Sequence, residues 1–197
     1  MQKRPSLLKR LASPAKRRWR LFMRDETGVT LIEFGILALP FFAIIVAIME
    51  TSVIMLAGQI LDSAVQDTSR VIRTGRAITY TAETYRELLC SRLYGMFDCT
   101  SGPNERLRIN VAVLGDFASS SPMPSPVKTG TECTAASCAW VMTDDYNGGT
   151  VGNSDVVMVR AYYKWPTLIN FPGFNFSNLP DGSRLMGAVR IFMNEPF

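Results

Sequence analysis

The residues best suited to chemistry in this sequence are four cysteines, because the chain contains no histidine. Histidine is the commonest general base and a common transition-metal ligand, so both roles are lost with it. The cysteines are Cys90, Cys99, Cys133 and Cys138. Their spacings of nine and five residues do not resemble the paired CxxC of a zinc ribbon. Outside the cytoplasm an even number favours disulfides, and of three connectivities we predict Cys90–Cys99 and Cys133–Cys138, which close the shortest loops.

The carboxylates and serines do not form a recognisable catalytic set. Asp144, Asp145 and Asp155 are candidate calcium ligands, but they lack the spaced acidic pattern of an EF-hand loop. We therefore expect them to be turn or cap residues. The serine run at 119–121 has no partner base and no GxSxG elbow. The sequence thus predicts no enzyme activity, no metal and no cofactor.

Three aromatic residues stand close together at Tyr162, Tyr163 and Trp165. We expect them to pack within a sheet, although a sugar-binding role stays open. No stretch interleaves basic and aromatic residues in the way that a base-stacking groove requires. Nucleic acid is therefore not a predicted partner.

Charge is concentrated at the front of the chain. Nine of the 21 basic residues precede Gly28, against two of the 17 acidic ones, so the remainder of the chain is net acidic. A basic segment directly before an apolar run is a positive-inside signal for membrane insertion. We interpret residues 1–28 as a basic cytoplasmic leader.

A long apolar run follows the leader. No residue between 34 and 49 is charged, and residues 29–49 would form a helix of about 31 Å, close to the thickness of a hydrocarbon core. A buried soluble helix and a secretory signal peptide are the alternatives, but the run is long for a signal core. It continues into an amphipathic pattern, so we predict one helix over residues 29–73.

Three residues in this helix are costly or unusual. Glu33 lies within the apolar stretch, where a carboxylate costs up to about 3 kcal/mol at the bilayer centre and less near the interface. Pro40 removes a backbone hydrogen bond to Ile36 and should kink the helix. Glu50 falls near the outer interface, where we expect it to be solvated or paired with a neighbouring protein.

The front of the helix reads Gly28-Val29-Thr30-Leu31-Ile32-Glu33-Phe34. It resembles the type IV prepilin cleavage motif, with a basic leader ending in glycine and a glutamate at the fifth residue of the helix. The Glu-Phe pair, Pro40 and Glu50, and the ending Asn194-Glu195-Pro196-Phe197 are similar to the TadE-like pseudopilins of the tight-adherence (Tad/Flp) pilus. In this chain Met193 stands where that ending usually has arginine.

That resemblance implies a processing site at Gly28, Val29, Glu33 and Phe34, cut by a prepilin peptidase. It also implies a single-pass inner-membrane protein with a cytoplasmic N-terminus and a periplasmic C-terminal domain. Its implied partners are other Tad pilins and pseudopilins, the assembly platform and membrane lipid. The alternatives are an uncleaved bitopic protein that displays a periplasmic binding or adhesion domain, and a membrane-anchored hydrolase.

After the first helix, the sequence predicts a mixed domain. A helix over residues 84–93 begins with a Thr84/Glu87 capping box and ends near Gly95. Residues 119–126 and 171–180 are expected to be loops. The predicted strands cover residues 107–114, 139–142, 155–165 and 185–193.

These elements predict an α+β fold of the pilin type. A long N-terminal transmembrane helix continues into a periplasmic domain with a short helix and an antiparallel β-sheet. The expected divisions are a leader at 1–28, the helix and its extension at 29–75, and the α+β domain at 76–197. After cleavage, we expect Glu33 to form an assembly charge pair with the new α-amine of Val29 on a neighbouring helix.

Overall fold

The computed structural model describes residues 27–102, 105–120, 123–135, 138–171 and 174–196. The predicted leader therefore lies outside the described residues, apart from its last two positions. Residues 48–197 form one compact unit. The fold is α+β, as the sequence predicts, with a long apolar helix, a short helix and a four-stranded sheet.

The long helix α1 covers Thr27–Arg73, two residues more than predicted, and contains Pro40. From Ile54 onward, its apolar residues recur every three or four positions and are buried on one face. Small residues such as Ala57 and Ala64 let the sheet approach this face closely. The buried positions of this stripe are Ile54, Ala57, Leu61, Ala64, Val65, Thr68 and Ile72.

The short helix α2 covers Ala82–Ser91. Thr81 is extended at its N-cap, and its hydroxyl accepts a hydrogen bond from the Thr84 N–H at 3.2 Å. The predicted capping box at Thr84 and Glu87 is therefore wrong in place, because an earlier threonine caps the helix. Tyr85 and Leu89 are buried on its inner face.

The strands are β1 at Leu107–Leu114, β2 at Asp145–Tyr146, β3 at Val156–Pro166, β4 at Asn170–Phe171, β5 at Phe174–Asn175 and β6 at Ser183–Met193. Four of them form the main sheet, in the order β2-β1-β3-β6. The β1–β3 and β3–β6 pairs are antiparallel, with Val111 opposite Val159 and Ala161 opposite Ala188. The inner face of the sheet carries apolar residues of all three long strands, which pack against α1 and α2 to form the core.

Three predicted details of the β structure need correction. The sheet is mixed, because β2 pairs with β1 in parallel. The strand predicted at 139–142 is only an isolated bridge between Val127 and Trp140, because the backbone N–H groups of Val141 and Met142 both donate to the Pro126 carbonyl and do not continue a ladder. The loop predicted at 171–180 includes part of a hairpin, formed by β4 at Asn170–Phe171 and β5 at Phe174–Asn175.

The cysteines are paired as Cys90–Cys99 and Cys133–Cys138, the pairing that the sequence favours. The first disulfide ties the end of α2 to the segment before β1 and borders the main core. The second lies in a smaller apolar cluster with Val127 and Trp140. Leu185 of β6 packs against that cluster. The cluster therefore covers part of the outer face of the sheet.

Tyr85 joins α2 to α1 through a buried polar contact. Its hydroxyl donates to the Thr68 hydroxyl at 3.1 Å, and the side chain is almost fully buried. Burial raises the pKa of Tyr85 to about 12, although the Thr68 hydrogen bond opposes the shift. The unfolded chain loses this proton near the ordinary tyrosine value of about 10. Its contribution to stability is therefore present below pH 10 and is lost as the pH rises from 10 to 12.

We expect Tyr85→Phe to reduce alkaline sensitivity. At pH 8 the variant should be less stable by about 1 kcal/mol, because a buried hydrogen bond is lost. Between pH 10 and 12 the free energy of unfolding of the wild type should fall by up to about 3 kcal/mol, and the variant should not show this fall. Urea unfolding of the full chain in detergent, monitored by near-ultraviolet circular dichroism, measures the difference in stability at pH 8 and the difference in its dependence on pH. Parallel pH profiles of the two proteins would contradict the assignment.

Candidate processing and assembly site

The four residues of the predicted processing site lie in the first two turns of α1. Gly28, Val29, Glu33 and Phe34 are all exposed. Val29 and Glu33 are four residues apart, so they lie on one face of the helix about 6 Å apart along its axis. Among the described residues, none donates a hydrogen bond to the Glu33 carboxylate. The site is thus presented outward.

Gly28 has no packing reason to be glycine. A Cβ built at this position meets no other atom within 4 Å, and the same is true of Gly35. The bond between Gly28 and Val29 lies in the first described turn of α1. A requirement for a small residue at position 28 must therefore come from a partner that binds the segment.

The first half of α1 is apolar on all sides. Its large side chains remain exposed, and the helix is long and apolar enough to cross a membrane, by length and composition. A helix that is apolar all round requires an apolar environment. The exposed set comprises Val29, Leu31, Ile32, Phe34, Ile36, Leu37, Leu39, Phe41, Phe42, Ile44, Ile45, Val46, Ile48 and Met49. These observations are consistent with a single-pass membrane protein.

The sequence suggested that Glu50 is solvated or paired with a neighbouring protein. In the structure, the residue is only 7 % exposed. Its two carboxylate oxygens accept hydrogen bonds from the backbone N–H groups of Leu168 and Ile169, at 2.7 and 3.0 Å. The prediction was wrong because the partners are backbone groups more than a hundred residues away, which side-chain types do not reveal. Glu50 therefore fixes the segment after β3 to α1.

The Asn194-Glu195-Pro196 ending also has a structural role. The Glu195 N–H donates to the Arg73 carbonyl at 3.1 Å, which satisfies an acceptor at the C-terminal end of α1. The side chains of Arg73 and Glu195 form an ion pair at 3.0 Å. Buried Asn194 donates its N–H to the Asp155 carbonyl, at the residue before β3. The ending thus joins the end of α1 to the start of β3.

A cluster of four charged side chains was missed by sequence reasoning. Arg86 of α2 contacts both Glu105 and Asp144, while Arg108 of β1 lies 3.0 Å from Glu105 and 3.4 Å from Asp144. Asp144 also accepts the Ile109 N–H at 2.8 Å. Burial and the negative charge of Asp144 raise the pKa of Glu105, although Arg86 opposes the shift. This balanced cluster gives Asp144 a structural role in joining β1 and α2.

The other candidate residues take part in local structure. Asp155 accepts the Gly152 N–H at 2.8 Å, in keeping with a turn residue. Tyr163 and Trp165 pack edge-on against Phe97, with ring centroids 4.8 and 5.6 Å apart. Within the part of the chain that the structure describes, no three His, Cys, Asp or Glu side chains are grouped to hold a metal ion.

Comparison with known families gives one match at the front of the chain. The model of the TadE-like protein family matches residues 28–70. Searches of curated proteins and of solved structures gave no match. The match begins at Gly28 and includes Glu33 and Glu50, and it confirms the TadE-like resemblance of this segment. The short helix, the sheet and the Asn194-Glu195-Pro196 ending lie outside the matched residues.

We expect Glu50→Ala to destabilise the unit formed by residues 48–197. The substitution leaves two backbone N–H groups without their acceptor, and each hydrogen bond to a charged group contributes about 1.5–3 kcal/mol, or about 3–6 kcal/mol for the two. For a unit of this size, that corresponds to a fall in melting temperature of about 6–24 °C. Glu50→Gln keeps one carbonyl acceptor and should lose less. Thermal unfolding in detergent tests the order.

Asp67→Ala provides the matched control, because Asp67 is an exposed acidic residue of the same helix. It should change the melting temperature by no more than about 1 °C, as most exposed substitutions do. Equal melting temperatures for Glu50→Ala and Asp67→Ala would show that the Glu50 hydrogen bonds do not stabilise the fold.

Proposed function

We propose that this chain is a minor pseudopilin or assembly component of a Tad-type pilus. The observation that carries the proposal is the outward-facing Gly28–Phe34 motif, which begins a TadE-like segment on a helix that is apolar all round. In this role, α1 anchors the chain in the inner membrane and packs against the helices of other pilin-class subunits. The sheet domain lies in the periplasm and contributes to pilus biogenesis and surface adhesion.

The chain acts by binding rather than by catalysis in this proposal. It has no histidine, and its buried charged cluster pairs two arginines with two carboxylates. Such a cluster neutralises its own charges and supports the fold. A prepilin peptidase removes the leader after Gly28, and the mature chain begins at Val29.

Processing and assembly are linked through Glu33. Cleavage creates an α-amine on Val29, so the positive partner exists only in the mature protein. The Glu33 carboxylate of one chain meets the amine of a neighbouring helix displaced by about one turn, which is a rise of about 6 Å. In a medium of low dielectric, the pair offsets part of the cost of removing both charges from water.

We expect Gly28→Arg to block processing, while the helix still inserts. The fold leaves open space at this position, so a lost cleavage would report recognition by the peptidase and not misfolding. Gly28→Ala keeps a small residue and should retain cleavage. Gly35→Ala, at a second open glycine of α1, is the control for helix stability and should be cleaved as wild type.

Mass spectrometry of the N-terminus in peptidase-positive cells provides the readout. A mature chain that starts at Val29 supports the proposal. An intact chain that still contains Met1 would reject it and favour the alternative of an uncleaved bitopic protein.

We expect Glu33→Ala and Glu33→Gln to insert normally and to be cleaved largely as wild type, but to associate less with other pilin-class subunits. The reason is the lost partner for the α-amine. Co-purification of pilus components from crosslinked membranes measures the association, with a loss of severalfold expected. Glu50→Gln should have a weaker effect on association.

Because Glu50 stabilises the fold, Asp67→Ala is the sharper control for a general effect of removing a carboxylate from α1. If Glu33→Ala co-purifies its partners as well as wild type does, the charge pair plays no part in assembly.

A further inference from the structure

Exposed apolar side chains lie on both sides of Glu50 along α1, beside the exposed polar residues Thr51 and Ser52. The neighbouring side chains Met49, Val53, Met55 and Leu56 are all exposed. A carboxylate between them is costly in an apolar medium unless hydrogen bonds satisfy it. The chain supplies those bonds itself, from the Leu168 and Ile169 backbone. The apolar surface of α1 thus continues past Glu50, and a second segment is fixed at the same level.

That second segment is itself uncharged and rich in apolar residues. We call the described residues 167–171 and 174–176 the apolar loop. Five of its eight residues are leucine, isoleucine or phenylalanine, and none is charged. Leu168 is 87 % exposed, whereas the adjacent Ile169 is buried. The loop therefore presents a large aliphatic side chain outward at Leu168, whose own backbone N–H donates to Glu50.

The position of Glu50 along α1 favours lipid as the partner of the apolar loop. Glu50 is the first charged residue after an apolar run that is about as long as a bilayer is thick. Whatever is bonded to Glu50 is then at the membrane surface. An uncharged segment with aromatic residues and asparagines matches the interface, where one side of a segment is apolar and the other is wet. A partner protein bound by charge would find no complementary group in the loop.

We propose that the apolar loop lies in the outer-leaflet interface of the phospholipid bilayer and inserts Leu168 among the acyl chains. The inference rests on the proposed anchoring of α1 in the membrane. Glu50 acts as a positioning residue, because its carboxylate holds the loop at that depth and is in turn covered by it. The periplasmic unit then has a second lipid contact in addition to its helix.

An environment-sensitive fluorophore tests the depth of the loop. The full chain, with its native disulfides intact, carries the label at Leu168→Cys in vesicles of phosphatidylethanolamine and phosphatidylglycerol. Nitroxide lipids that carry the spin label near the headgroup should quench it at least about twofold more than at a matched control. Phe117→Cys is that control, because Phe117 is also an exposed apolar residue. It follows β1 closely, and Leu114 pairs with Val156 at the opposite end of β3 from the loop.

A third label at Leu39→Cys reports insertion of the helix independently. If Leu39 is quenched by mid-chain nitroxides while Leu168 is quenched no more than Phe117, the loop inference fails and the anchoring stands. If Leu39 is not quenched, both fail. A label at Leu168 that reports an apolar environment in cell membranes but not in pure lipid vesicles would also overturn the proposal, because it would identify a protein as the occupant.

Discussion

The structure depends on a single helix that has to satisfy two different environments. Up to Met49 its apolar residues are distributed on all sides, while from Ile54 they are confined to one stripe that packs on the sheet. The first pattern requires an apolar medium and the second requires a protein core. The change from one pattern to the other falls between Met49 and Ile54. Glu50 occupies that transition, and its hydrogen bonds to the segment after β3 satisfy it there.

The sheet domain follows from the second of these requirements. The stripe from Ile54 to Ile72 buries small and large residues alternately, so the inner face of β1, β3 and β6 can approach it closely. The end of the helix is then satisfied by the C-terminal segment, in which Glu195 meets Arg73 through both backbone and side chain. The last residues of the chain therefore contribute to the fold without extending the sheet.

Local patterns in the sequence predict the elements well, because their causes are local. The alternation in β1 and β3 and the three-to-four spacing in α1 predict those elements to within about two residues. The failures have long-range causes. The parallel pairing of Asp145 with Asn110, and the ion pairs of Arg86 with Glu105 and Asp144, join positions far apart in the chain. The role of Glu50 was hidden for a further reason, since its partners are backbone N–H groups that every residue except proline carries.

The same reasoning separates the two glutamates of α1. Both are costly, and both interrupt an apolar surface. Glu50 has its partners within the chain, so its retention is explained by the fold alone. For Glu33, no described residue supplies a donor, and its side chain is exposed. A carboxylate that no described residue uses, four residues from a bond whose proposed cleavage would create an amine, is explained most simply by a partner outside the chain. The fold thus requires Glu50, and assembly is the process that would require Glu33.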